Sequence, residues 1–119
     1  MAHHDEDFLR RATEAKTRIR QLVPEEARQR ITQGGLLLDV RSGEEYAEGH
    51  IEGAYNLPAE ELAKQIARLQ PDKQAPILCY CRGGNRGALA ADELQRLGYA
   101  NVASIEGGLT AFLNASESE

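Results

Sequence analysis

Apolar runs of strand length alternate with amphipathic stretches along this chain, and that order limits the folds open to it more than any other feature. Leu36-Leu37-Leu38, Ile77-Leu78-Cys79-Tyr80 and Val102-Ala103-Ser104-Ile105 are nearly unbroken runs rather than in-out alternations. A strand of that kind is buried on both faces, as in a parallel sheet flanked by helices. Two briefer strands are expected at residues 54–57 and 18–22, the second with Ile19 between two arginines. The repeated strand–helix order therefore predicts an α/β fold, a parallel sheet with helices on both faces. Ligands in such sheets bind beyond the carboxyl ends of the strands.

The helices are marked by apolar spacing and by their ends. Phe8, Leu9, Ala12 and Ala15 recur at helical intervals over residues 5–16. Pro24 suits the first turn of a second helix, with Glu25 and Glu26 at its positive end and Gly34-Gly35 as its stop. Ser42 and Glu45 fit a capping box for a short helix that ends near Gly49. Pro58 opens a helix with Leu62, Ile66 and Leu69 on one face, and residues 88–97 form the next, closed by Gly98. Gly107-Gly108 turn into a last short helix over residues 109–113.

At 119 residues the chain suits one domain with a core that needs no disulfides. Its net charge of −5 argues against a nucleic-acid-binding surface. The only cysteines, Cys79 and Cys81, form no disulfide framework and suit a reducing compartment, so a cytoplasmic location is expected. No apolar stretch approaches the ~18 residues of a spanning helix, and the N-terminus has no apolar signal core, so no membrane partner is expected. His3-His4 fits a native sequence and an added one equally well.

Against this acidic background, Cys81-Arg82-Gly83-Gly84-Asn85-Arg86 concentrates two arginines and two glycines between a strand and a helix. Backbone N–H groups at a helix start are unpaired and partly positive, and glycines let several of them point into one concave space. Cysteine chemistry runs through the thiolate, which such N–H groups and nearby cations favour. Three readings of Cys81 stand on the residues alone: a core cysteine beside a turn, a catalytic thiolate, or an anion-binding loop with an incidental cysteine.

Four motifs, in order, resemble those of the rhodanese (thiosulfate sulfurtransferase) family. They are Leu37-Leu38-Asp39-Val40-Arg41 with Glu44-Glu45-Tyr46; Gly49-His50-Ile51-Glu52-Gly53-Ala54 with Asn56-Leu57-Pro58; the loop from Cys81 to Arg86; and Glu106-Gly107-Gly108 with Ala111-Phe112. The resemblance implies a rhodanese-like α/β domain over residues 18–114, with a central five-stranded parallel sheet. Residues 1–17 are then a helical extension outside the minimal domain, expected to be dispensable for chemistry, and residues 115–119 a frayed tail. It also implies a persulfide on Cys81, formed from thiosulfate or a persulfide donor and passed to cyanide, a low-molecular-weight thiol or a protein thiol. Arg82, Gly83, Gly84, Asn85, Arg86 and Gly87 would bind substrate and stabilise the persulfide. No metal and no organic cofactor are needed. Where the family often has Ser or Thr after the second loop arginine, this chain has Gly87.

Asp39 and Arg41 are expected to support the site, Asp39 by pairing with an arginine near the loop and Arg41 by binding substrate or anchoring Asp39 or Glu45. His50 is expected to be a hydrogen-bonding structural residue, Cys79 a buried filler, and Tyr80 a residue that packs on a helix or borders the pocket. The alternatives are a sulfur carrier or interaction module with little turnover and, less favoured, a cysteine-dependent phosphatase or arsenate reductase. Phosphatase loops of this type hold five residues between cysteine and arginine, whereas four separate Cys81 from Arg86.

Overall fold

The computed structural model describes the backbone of residues 2–117 and the side chains of residues 6–115. Of the tail expected to fray over residues 115–119, residues 115–117 are helical and 118–119 lie outside the described residues, as do the side chains of His3-His4. In chain order the elements are α1 (Ala2–Lys16), β1 (Arg20–Leu22), α2 (Pro24–Thr32), β2 (Leu36–Asp39), α3 (Gly43–Glu48), β3 (Tyr55–Asn56), a 3-10 turn (Ala59–Glu61), α4 (Leu62–Leu69), β4 (Ile77–Tyr80), α5 (Asn85–Arg96), β5 (Val102–Ile105) and α6 (Gly108–Glu117). The five strands pair in the order β1-β5-β4-β2-β3, every pair parallel. The expected five-stranded parallel sheet is present.

Alternate residues of β4 feed two cores. Ile77 and Cys79 face a cluster with Leu38, Val102, Leu62, Ile66, Ala91 and Leu94, so α4 and α5 cover that face. Leu78 and Tyr80 face Leu37, Ala103, Ile105, Ala27, Leu109 and Phe112, so α2 and α6 cover the other. Each fully buried Leu or Ile contributes about 1.5–3 kcal/mol of transfer free energy, which is why β4 tolerates no polar face. All four of its residues are buried.

Several ends differ from the sequence reading. α5 begins at Asn85 rather than at residue 88, because Gly84, at φ +107°, turns the chain straight into the helix. Asn85 and Arg86 are therefore first-turn residues, and periodicity missed them because neither is apolar. α6 continues to Glu117 instead of stopping at residue 113. β3 keeps only Tyr55 and Asn56 of residues 54–57, paired with Leu38 and Asp39, and this pairing ends with the Leu57 N–H bond to Asp39 O at 2.9 Å. Pro58 leads into a 3-10 turn before α4 starts.

α1 packs along α5. Ala12 and Ala15 are fully buried and Phe8 half-buried, while Leu9 is 49% exposed, so small residues make the contact. On α5, Ala88 is fully buried outside both sheet cores, whereas Ala90 and Ala91 belong to the cluster that faces the sheet. The buried Asp92 carboxylate of α5 receives Arg18 Nη2 and Arg96 Nη2, each at 2.8 Å.

Candidate active site

Parallel pairing puts the carboxyl ends of β2, β4 and β5 on one edge of the sheet, and the chemistry-bearing residues follow those ends. Cys81 comes directly after β4 and is 2% exposed. Its Sγ accepts N–H bonds from Gly84 and Gly87, both at 3.1 Å. The first turn of α5 thus aims its free donors at the sulfur, as the helix start allows.

Glycine is required at some loop positions and not at others. Gly84 holds φ +107°, and a Cβ there would lie 3.1 Å from Gly107 N. Gly87 brings α5 against the end of β4: a Cβ there would lie 3.3 Å from Cys81 N and from Tyr80 Cα. Gly83 has neither a positive φ nor a neighbour within 4 Å of its added Cβ, so the curl expected of both loop glycines falls on Gly84 alone.

The loop is clamped from behind by the start of α6. Leu109 N–H donates to Cys81 O at 2.7 Å and Thr110 N–H to Arg82 O at 3.0 Å. Gly108 makes this approach feasible, since a Cβ on it would sit 2.5 Å from Cys81 O and 2.6 Å from Arg82 O. From the sequence, Gly107-Gly108 is a turn within the fourth motif, with no contact to the loop implied. The signal for more was their place after β5, which neighbours β4 in the sheet.

The two arginines share one carboxylate. Arg86 Nη1 and Nη2 bind Glu45 Oε1 and Oε2 at 2.9 and 3.1 Å, and Arg82 Nη2 lies 3.5 Å from Glu45 Oε2. The Ser42 N–H and hydroxyl also donate to Glu45, whose backbone N–H caps onto Ser42 Oγ. Arg86 first, then the Ser42 bonds, hold the Glu45 carboxyl at about 2, well below its ordinary 4.5. From the sequence Glu45 is half of a capping box, part of the first motif and a possible partner of Arg41; its pairing with the two loop arginines needs α3 brought beside the loop. The Arg82 side chain is 58% exposed and that of Arg86 36%.

Asp39 and Arg41 form a buried pair of their own. Arg41 Nη2 lies 2.7 Å from Asp39 Oδ2, and Arg41 Nε and backbone N–H each donate to Asp39 Oδ1 at 3.0 Å. Nη2 also donates to Gly49 O at 2.6 Å. The Asp39 bond raises Arg41 further above its ordinary range. Asp39 thus pairs with Arg41 rather than with a loop arginine, because a bidentate partner two residues on saturates its oxygens. Asn56 Nδ2 bonds both Asp39 O and Arg41 O, tying β3 to this pair.

Tyr80 is fully buried, and its hydroxyl accepts the Ile51 N–H at 3.0 Å. His50 Nδ1–H donates to Tyr46 O at 2.8 Å, and its ring stacks on Tyr46 with centroids 3.7 Å apart. Cys79 is fully buried, and burial pushes its thiol up to about 12, which makes it a poor nucleophile. Arg82, Glu45, Arg41, His50, Leu109 and Leu113 line an open cleft of about 340 Å³ beside the loop.

Residues 23–115 match the model of the rhodanese-like domain family. The thiosulfate sulfurtransferase PspE of Escherichia coli is 36% identical over 70 residues, 59% of this chain and 67% of that protein. The thiosulfate sulfurtransferase GlpE of Pseudomonas entomophila is 37% identical over 89 residues, 75% of this chain and 80% of that protein. Among solved structures, a Rhodopseudomonas palustris protein of unknown function, described as a possible tyrosine phosphatase, superposes with a TM-score of 0.79 at 29% identity. That match covers 88% of this chain and 87% of the other.

Proposed function

The chain belongs to the rhodanese-like domain family, and from that premise we propose that it is a thiosulfate sulfurtransferase carrying sulfane sulfur on Cys81. The observation that carries this reading is the pair of N–H groups, from Gly84 and Gly87, converging on Cys81 Sγ at 3.1 Å. They stabilise negative charge on the attacking sulfur and again when the acceptor regenerates the thiolate. Similarity to proteins named thiosulfate sulfurtransferase supports the choice of donor.

The reaction runs in two halves. The Cys81 thiolate attacks the outer sulfur of thiosulfate. An Sγ–S bond forms, the donor S–S bond breaks, and its electron pair leaves on sulfite. An acceptor thiolate or cyanide then takes the outer sulfur and returns Cys81 as thiolate. Arg82, exposed at the rim, receives the anionic donor and stabilises departing sulfite. Arg86, held by both oxygens of Glu45, keeps the first turn of α5 in place. Asp39 and Arg41 support the neighbouring wall without touching the sulfur. The chemistry suits a reducing compartment such as the cytoplasm, and no helix among the described residues is long and apolar enough to cross a membrane.

A second reading, hydrolysis of phosphate esters, draws on the likeness to the Rhodopseudomonas protein. Phosphoryl transfer needs donors around the equatorial oxygens, beyond the attacking sulfur. Two loop N–H groups here point at the sulfur itself, which favours sulfur transfer. Intact mass after incubation with thiosulfate tests the assignment. The protein should gain one sulfur atom, the Cys81→Ser variant none, and cyanide should remove it as thiocyanate. Release of phosphate from an aryl phosphate, without any mass gain from thiosulfate, would favour the second reading.

A further inference from the structure

The matched family domain begins at residue 23, yet a residue before it reaches the active-site loop. Lys16, the last residue of α1, donates from Nζ to Asn85 Oδ1 at 2.9 Å. Asn85 is the first residue of α5 and stands between Gly84 and Gly87, whose N–H groups hold Cys81 Sγ. This end of α1 is fixed to α5 at further points. Arg18 Nη2 binds the buried Asp92 carboxylate at 2.8 Å, and Gln95 Nε2 donates to Arg18 O at 3.0 Å. Ala12 and Ala15 are sealed beneath.

Charge sets Lys16 apart from the other cations here. Arg82 and Arg86 share the one carboxylate of Glu45, and Arg41 faces Asp39, so each of these cations has an acidic partner. Lys16 bonds a neutral amide oxygen, and none of the ion pairs among the described residues includes it. Removing a compensated charge mainly breaks a pair, whereas removing an uncompensated one changes the field at the loop.

We propose that Lys16, anchored to Asn85 at the start of α5, supplies a positive charge outside the ion pairs of the described residues, and that this charge draws anionic sulfur donors to the nucleophile. The donor class rests on the function proposed above; the charge and its placement do not. The helix that precedes the family domain then belongs to the working site, contrary to the dispensability expected from its sequence.

The test compares the full chain with Lys16→Met, which keeps the aliphatic stem, and Lys16→Arg, which keeps the charge. Cys81 is alkylated with iodoacetate, an anion, and with iodoacetamide, its neutral counterpart; buried Cys79 does not compete. Lys16→Met should lower the iodoacetate-to-iodoacetamide rate ratio roughly threefold, as expected for one charge near a solvent-open loop. Lys16→Arg should restore the ratio, and added salt should narrow the gap. In thiosulfate–cyanide turnover, Lys16→Met should raise KM by a similar factor with little change in kcat. An unchanged ratio, an equal fall with both reagents, or the same loss in Lys16→Arg overturns the proposal. If no variant turns over thiosulfate, the alkylation ratio still decides the role of Lys16, and the failure belongs to the proposed function.

Discussion

Gly108→Ala should be the most damaging single-methyl change in this chain, and the structure says by how much. The new Cβ would lie 2.5 Å from Cys81 O and 2.6 Å from Arg82 O. Ordinary carbon–oxygen contacts lie near ~3.3 Å, so α6 and the loop must part by roughly 0.8 Å. That movement stretches the Leu109 N–H to Cys81 O and Thr110 N–H to Arg82 O bonds, now 2.7 and 3.0 Å. Their net loss is about 1–3 kcal/mol together. It replaces the overlap rather than adding to it, since the bonds stretch to relieve the clash. Gly108 also holds φ +65°, where a residue with Cβ costs about 1 kcal/mol. The sum is about 2–4 kcal/mol, or a fall in Tm of roughly 6–16 °C for a domain of this size. Gly53→Ala is the control, because Gly53 holds φ +90° with nothing within 4 Å of its added Cβ; it should lose only the conformational ~1 kcal/mol. Thermal and urea unfolding followed by circular dichroism give both numbers, and thiosulfate–cyanide turnover shows whether the loop has moved. If Gly108→Ala is no less stable than Gly53→Ala and keeps wild-type turnover, the clamp between α6 and the loop is refuted.

Glu45→Gln tests the shared carboxylate. The folded-state pKa of Glu45, about 2, lies below its ordinary 4.5, so its stabilisation is present above pH 4.5 and is lost as pH falls from there through 2. With solvent screening it amounts to about 1–2 kcal/mol, and the variant's stability–pH curve, measured by urea unfolding, should lack that part of the acid limb. Asp39→Asn leaves the buried Arg41 charge without its counter-ion and should cost about 3–5 kcal/mol in the same assay. Cys79→Ser should keep most sulfur transfer while losing about 1–3 kcal/mol, because it buries a hydroxyl in an apolar cluster. Cys81→Ser should fold normally and transfer no sulfur. Equal loss of turnover in two folded serine variants would point to a two-cysteine mechanism.

The sequence alone determined what local chemistry determines. Unbroken apolar runs at β2, β4 and β5 meant strands buried on both faces, and the alternation with helices made the sheet parallel. Val102–Ile105 is legible to both its ends, because Gly98 and Gly107 bracket an apolar run. The capping of α3 by Ser42 and Glu45 is legible because a capping box spans only four residues. Cys81 stood out because its loop broke with an acidic background.

What the sequence left open depends on elements far apart in the chain meeting in space. Glu45 and Arg86 are 41 residues apart, and only the pairing of β2 with β4 sets α3 beside the loop. Gly108 becomes indispensable only because β5 lies next to β4, so that α6 starts against the back of the Cys81 turn. Lys16 carries no motif and precedes every family signature, and its contact with Asn85 exists because buried alanines let α1 lie close along α5. Side-chain type and spacing reveal which groups can do chemistry. Which charges share a partner and which backbone oxygens are crowded are set by the packing of non-neighbouring elements, and periodicity carries no record of it.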